Sequence, residues 1–117
     1  MQVLVNCDDR ICCDEELIRR IEGVLAGMLG RFSDRVFRIE ARLSDLGSAC
    51  PGERDKVCSI EARIAGATSV VARHAAMTLT EAIHAAADKL ETFLARELRR
   101  LDRALAGPEV SPSARAL

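Results

Sequence analysis

The chain offers few groups able to do chemistry: five cysteines, two histidines and no glycine-rich phosphate loop. Cys7, Cys12, Cys13, Cys50 and Cys58 are odd in number, and a vicinal pair such as Cys12–Cys13 rarely closes on itself. No secretory signal precedes them, so they read as reduced thiols in a cytoplasmic protein. Zinc needs ligands at recognisable short spacings, and Cys12, Cys13 and a histidine have none, so neither a metal nor a cofactor is expected. A Cys–His nucleophile needs an accessible thiolate, but Cys58 falls on the inward phase of a strand, where thiols are usually inert. His74 reads as a half-buried strand residue with a local hydrogen bond, and His84 as a surface partner of Asp88. A thiol sensor built on Cys12 and Cys13 is one rival reading. The chain is not expected to be an enzyme.

Charge placement is more informative. From Thr78 to Leu105 a helix is expected, and each residue advances it about 100°. Leu79, Ile83, Ala86, Ala87, Leu94, Leu98 and Leu101 share the face of Leu90, as a core stripe should. Lys89, Arg96, Arg100 and Arg103 collect on one flank, while Asp88, Glu91 and Asp102 lie on or toward the other. Cations at i,i+4 such as Arg96 and Arg100 cost a few tenths of a kcal/mol in isolation, roughly, which a partner's phosphates could offset. The flank is therefore a candidate RNA-facing edge, with Arg19, Arg20 and Arg31 of the first helix as lesser contacts. Net charge is −1, so such a role rests on where charges sit and not on the overall balance. Phe32, Phe37 and Phe93 are the aromatic residues, too few for a single-strand binder that stacks bases.

The elements that must position this edge follow from periodicity. A length of 117 residues is one domain, expected over 1–106 with a disordered tail at 107–117. Met1–Asn6 reads as a strand. Asp14 is a helix cap, followed by Leu17, Ile18, Ile21, Val24, Leu25, Met28, Leu29 and Phe32 at spacings of three and four. Arg35–Leu43 and Lys56–Ala65 alternate, with Phe37, Ile39, Ala41 and Leu43, then Cys58, Ile60, Ala62 and Ile64, facing inward. Arg38, Arg42 and Arg63 share the polar face with Glu40 and Glu61, which predicts cross-strand ion pairs. A loop over 47–55 joins these strands, and Gly66-Ala67 turns into a third, Thr68–His74. Thr78-Leu79-Thr80-Glu81 fits a capping box, and Gly107-Pro108 is expected to stop the second helix. No apolar run reaches the ~20 residues that span a membrane. The order β-α-β-β-β-α predicts an α+β fold with two helices on one face of a four-stranded sheet.

That order, with Thr78-Leu79-Thr80-Glu81-Ala82-Ile83-His84-Ala85-Ala86-Ala87-Asp88-Lys89-Leu90 and Gly30-Arg31-Phe32-Ser33-Asp34-Arg35-Val36, resembles the ribosome hibernation promoting factor family, also called ribosome-associated inhibitor A or sigma-54 modulation protein. The resemblance covers roughly residues 1–105 and is to the short form, without the second domain of long members. It implies a fold like a double-stranded-RNA-binding domain. It also implies a stress-response factor that binds rRNA of the small ribosomal subunit and blocks the mRNA/tRNA channel by occupying it. Lys89, Arg96 and Arg100 match basic positions of the family's second helix, and Arg103 extends the stripe. The family's lysines on helix one are Ala26 and Gly27 here, and an aromatic near the start of helix two is Thr80. The alternative reading is a protein-interaction module diverged from ribosome binding, with weak self-association through the small residues Gly23, Ala26, Gly27 and Gly30.

Overall fold

The α-helices and strands come in the predicted order in a computed structural model, which describes residues 1–47 and 54–110, with side chains as far as Leu105. They are β1 (Gln2–Cys7), α1 (Glu15–Leu29), β2 (Val36–Asp45), β3 (Lys56–Ile64), β4 (Ser69–Ala76) and α2 (Leu79–Val110), with a single 3₁₀ turn, Gly30–Phe32, after α1. The sheet runs β1-β2-β3-β4 in space as in sequence. β1 is parallel to β2 because α1 carries the chain back across the sheet; the other two pairings are antiparallel. β1 and β4 are thus the edges.

Both helices cover the same face. Ile39, Ala41, Leu43, Cys58, Ile60, Ala62, Ile64 and Ala72 of the sheet meet Ile21, Leu25 and Leu29 of α1 and Ala82, Ile83, Ala86, Ala87, Leu90, Leu94 and Leu98 of α2. Among the described residues no polar or charged residue is buried. The stripe of small alanines lets α2 approach the sheet closely, and the leucines fill the space further along. Gly66 has φ +75°, and the Ala67 amide donates to the Ile64 carbonyl (3.1 Å), so the β3–β4 turn uses the one residue type that adopts this backbone freely.

Four expectations are corrected. Phe37 is exposed and Val36 fully buried, because the β2–β3 register shifts between Val36 and Arg38. The extra residue inverts the alternation before it, which strict period-two counting cannot foresee. Gly107-Pro108 does not stop α2, which runs to Val110. Pro108 forfeits one backbone bond near the end of the helix, and Gly107 is free to stay helical, so neither forces the chain out. Cys7 and Cys13 form a disulfide where reduced thiols were expected. The connector after β1 doubles back and brings their Cα atoms to 6.1 Å, within bridging range. The fourth concerns charge on the open sheet face: Arg38 and Arg42 pair with Glu40, and Arg63 with Glu61, along their own strands and not across them. Directly opposite one another stand Arg38 and Arg63, and Glu40 and Glu61, so like charges face each other and residues two apart on one face supply the compensation. Cys50, most of the 47–55 loop and residues 111–117 of the tail lie outside the described residues.

Candidate nucleic-acid interface

Helix α2 is seated at its start by Thr78. The Thr78 hydroxyl accepts the Glu81 amide (3.1 Å) and donates to the Glu81 carboxylate (3.1 Å), a variant of the expected capping box. From there the buried stripe fixes the rotation of the helix, and with it the direction of every exposed charge. One flank faces α1. Arg31 reaches Glu91 across it (3.4 Å), and Arg35, just before β2, reaches Asp102 (3.0 Å). Glu91 and Asp102 of the acidic flank predicted from the helical wheel are therefore used internally, as tethers to the turn after α1 and to the entry of β2, while Asp88 has no ion-pair partner among the described residues.

The other flank lies over β4 and turns toward solvent. The Lys89 ammonium donates to the Arg73 carbonyl (3.2 Å), capping a backbone group of the edge strand. Beyond Lys89, Arg96 and Arg103 are exposed and have no anionic partner among the described residues. Arg100 differs from them. Its guanidinium forks onto Glu97 through Nε (3.0 Å) and Nη2 (2.6 Å). That hydrogen bond holds the Glu97 carboxyl below its ordinary range and raises the Arg100 guanidinium further.

Two cations missing from the sequence-derived set join the free ones. Arg99 is exposed and unpaired among the described residues, and 96, 99 and 103 follow i,i+3,i+7 spacing on one face. Arg99 stands opposite the apolar stripe and not on its flank, so flank position alone does not select it. Arg73 is the other. Its outward phase on β4 was legible from Val70 and Ala72, but only the sheet order puts β4 at an edge under Lys89.

Helix α1 contributes less. Arg19 pairs with Glu15 one turn earlier (3.1 Å), both largely exposed. Arg31 stacks over Phe32 (4.5 Å) besides meeting Glu91. Arg20 has no partner among the described residues and edges a small groove with Leu17, Ile21, Val24, Leu79 and Ile83. The predicted set therefore divides in three. Arg96 and Arg103 are free, and Lys89 is held beside them. Arg100, Arg19 and Arg31 are engaged by carboxylates. Arg20 stands apart on the other side of α2.

The remaining reactive groups stay scattered. Cys58 is buried between the sheet and the helices, and desolvation pushes its thiol up to about 12. Cys12 is exposed. His74 is half-buried as expected, but it has no hydrogen-bond partner among the described residues. His84 and Asp88 share a cleft without pairing, since i,i+4 spacing brings two side chains near and rotamers decide whether they meet. Among the described residues no cluster of His, Cys, Asp or Glu could hold a metal ion, and no helix is long and apolar enough to cross a membrane.

No family model and no curated protein matches the chain. Solved structures do. The N-terminal domain of Thermus thermophilus Protein Y matches with a TM-score of 0.66 at 22% identity, covering 82% of this chain and 98% of that one. A ribosomal subunit interface protein from Coxiella burnetii matches with a TM-score of 0.67 at 14% identity, covering 85% and 99%. The α+β fold that the resemblance implied is borne out by these matches. At these identities the likeness is one of fold, and function has to be argued from the site.

Proposed function

We propose that this chain is a non-enzymatic, cytoplasmic ribosome-binding factor. It grips rRNA of the small subunit with the free cations of α2 and silences translation by occupying the mRNA/tRNA channel. The observation that carries the reading is the face formed by Arg96, Arg99 and Arg103, exposed and without carboxylate partners among the described residues. Three guanidinium groups left unpaired on one face are available to an external anion, and closely spaced phosphates would fit that pattern. Lys89 adds a cation at the β4 edge, where its ammonium is held on the Arg73 carbonyl. The two solved structures add the fold, and one of them is a ribosomal subunit interface protein. Steric occlusion needs shape and charge, not a reacting group.

The test is co-sedimentation with small ribosomal subunits across a salt series. Binding should weaken steeply with salt, because each neutralised phosphate releases counterions. Arg96→Glu with Arg103→Glu should weaken it roughly tenfold or more while the thermal unfolding midpoint stays put. Unchanged sedimentation of that folded variant would remove this face from the mechanism.

A further inference from the structure

Along one line of the exposed face of α2 the charges divide by sign, and the division is symmetric about one residue. Glu81, Ala85 and Asp88 lie along the solvent side before Thr92; Arg96, Arg99 and Arg103 lie along it after. Arg96 stands as far beyond Thr92 as Asp88 stands before it, and the same holds for Arg103 and Glu81, and for Arg99 and Ala85. A two-fold axis through Thr92 would lay a second α2 antiparallel on the first. Each Glu81 would then face the partner's Arg103 and each Asp88 the partner's Arg96. Arg99 would fall on Ala85, between the two carboxylates of the other copy.

We infer that two copies of this chain pair in this way, through α2 antiparallel about Thr92. Three further observations favour it. Asp88 has no ion-pair partner among the described residues, and neither have the three arginines, so pairing sacrifices no internal bridge. Ala85 and Thr92 are small, which allows two helix axes to approach within the usual roughly 8–10 Å. A cleft of 760 Å³ opens beside the acidic half, and Glu81, His84 and Asp88 line it with Met28, Met77 and the opposing charge of Arg54. It has room for the partner's arginine side chains, whose stems would lie on the methionines while their heads reach the carboxylates. The occupant is a second copy because the basic half that complements this cleft is the chain's own. The interface is isologous and closes on itself as a dimer.

Pairing does not depend on the proposed function, but one consequence rests on it. The same arginines would be covered, so the paired form withholds the residues assigned to RNA and the two states exclude one another.

The experiment measures mass by sedimentation equilibrium at low salt over a range of protein concentrations. The wild-type mass should rise from 12.7 kDa toward twice that value and fall back as salt screens the pairs. Two variants make the case specific: an all-basic face, Glu81→Arg with Asp88→Arg, and an all-acidic face, Arg96→Glu with Arg103→Glu. Each alone should pair at least about tenfold more weakly, since like charges then oppose. An equimolar mixture should recover the doubled mass, because each half then meets its opposite. Asp88→Arg alone, which leaves the Thr78–Glu81 cap intact, guards against a loosened helix and should also weaken pairing. A wild type that stays at 12.7 kDa throughout, or folded variants that pair as the wild type does, would overturn the inference, as would a mixture that fails to recover. The readings separate cleanly: the all-basic variant should lose pairing yet keep ribosome co-sedimentation, whereas failure of the RNA reading leaves the mass measurements untouched.

Discussion

The two helices pack on the same sheet face and carry the same kind of cation, yet they use them in opposite ways. Helix α1 is 15 residues long; its Arg19 is engaged by Glu15, Arg31 in the turn that follows it is engaged by Glu91, and Arg20 alone has no partner among the described residues. Helix α2 is 32 residues long and passes beyond its last buried side chain, Leu98, before its final arginine. In its second half Arg96, Arg99 and Arg103 find no carboxylate among the described residues, while Arg100 next to them is forked by Glu97. Availability, and not residue type, separates a candidate contact from a structural bridge. A surface bridge of this sort contributes little to stability, so its main effect on a cation is to compete with an outside anion.

The largest expected effect tests whether α2 depends on its buried half. Leu90→Ala should cost about 2–5 kcal/mol in urea unfolding, and Leu25→Ala in α1 a similar amount, since both sites are fully buried. Arg96→Ala should change stability by no more than about 0.5 kcal/mol. Equal small losses at Leu90 and Arg96 would erase the distinction between the core and solvent faces. Ribosome binding should then separate the helices. Arg96→Glu with Arg103→Glu should weaken it roughly tenfold or more and flatten the salt dependence, whereas Arg19→Glu should leave both nearly unchanged. Comparable losses from the two helices would mean that the Glu15 bridge does not restrain Arg19.

Smaller effects sharpen the same contrast. Asp14, which accepts the Leu17 amide at 2.8 Å, and Thr78 each cap one helix, so Asp14→Ala and Thr78→Ala should each cost about 1 kcal/mol in thermal unfolding. Thiol labelling at pH 8 should modify Cys12 at once and Cys58 only after unfolding, because the Cys58 thiol is raised to about 12 by burial. The smallest effect is the acid response of the Glu97–Arg100 pair. The folded Glu97 carboxyl lies below its unfolded value, so its contribution is complete above the unfolded range and is lost as pH falls through the folded one. Glu97→Gln should remove that slope, and free Arg100 to bind phosphate.

Much of the architecture was legible from periodicity. The apolar stripe of α2, the inward set of β3 and the caps at Asp14 and Thr78 stand where the spacing put them. Phe37 did not, because one inserted residue in β2 reverses the alternation and leaves no local signature. The candidate site was half legible. A helical wheel collects Lys89, Arg96, Arg100 and Arg103, but it cannot tell that Arg100 is taken by Glu97. It also cannot tell that Lys89 is held on the backbone of a distant strand, at the Arg73 carbonyl. The Cys7–Cys13 bridge escaped for the same reason, since the return of a loop is not encoded in residue type.

The sequence alone determined the element order, the caps and the segregation of charge along α2, because each depends on neighbours within a turn or two. Sheet order, the β2 register shift and the pairing state of each cation were decided by tertiary structure. These depend on which groups arrive within a few ångströms from far along the chain. The free arginines on the exposed face of α2 needed both: local spacing put them on one side, and the packing of α2 against β4 and α1 turned that side to solvent.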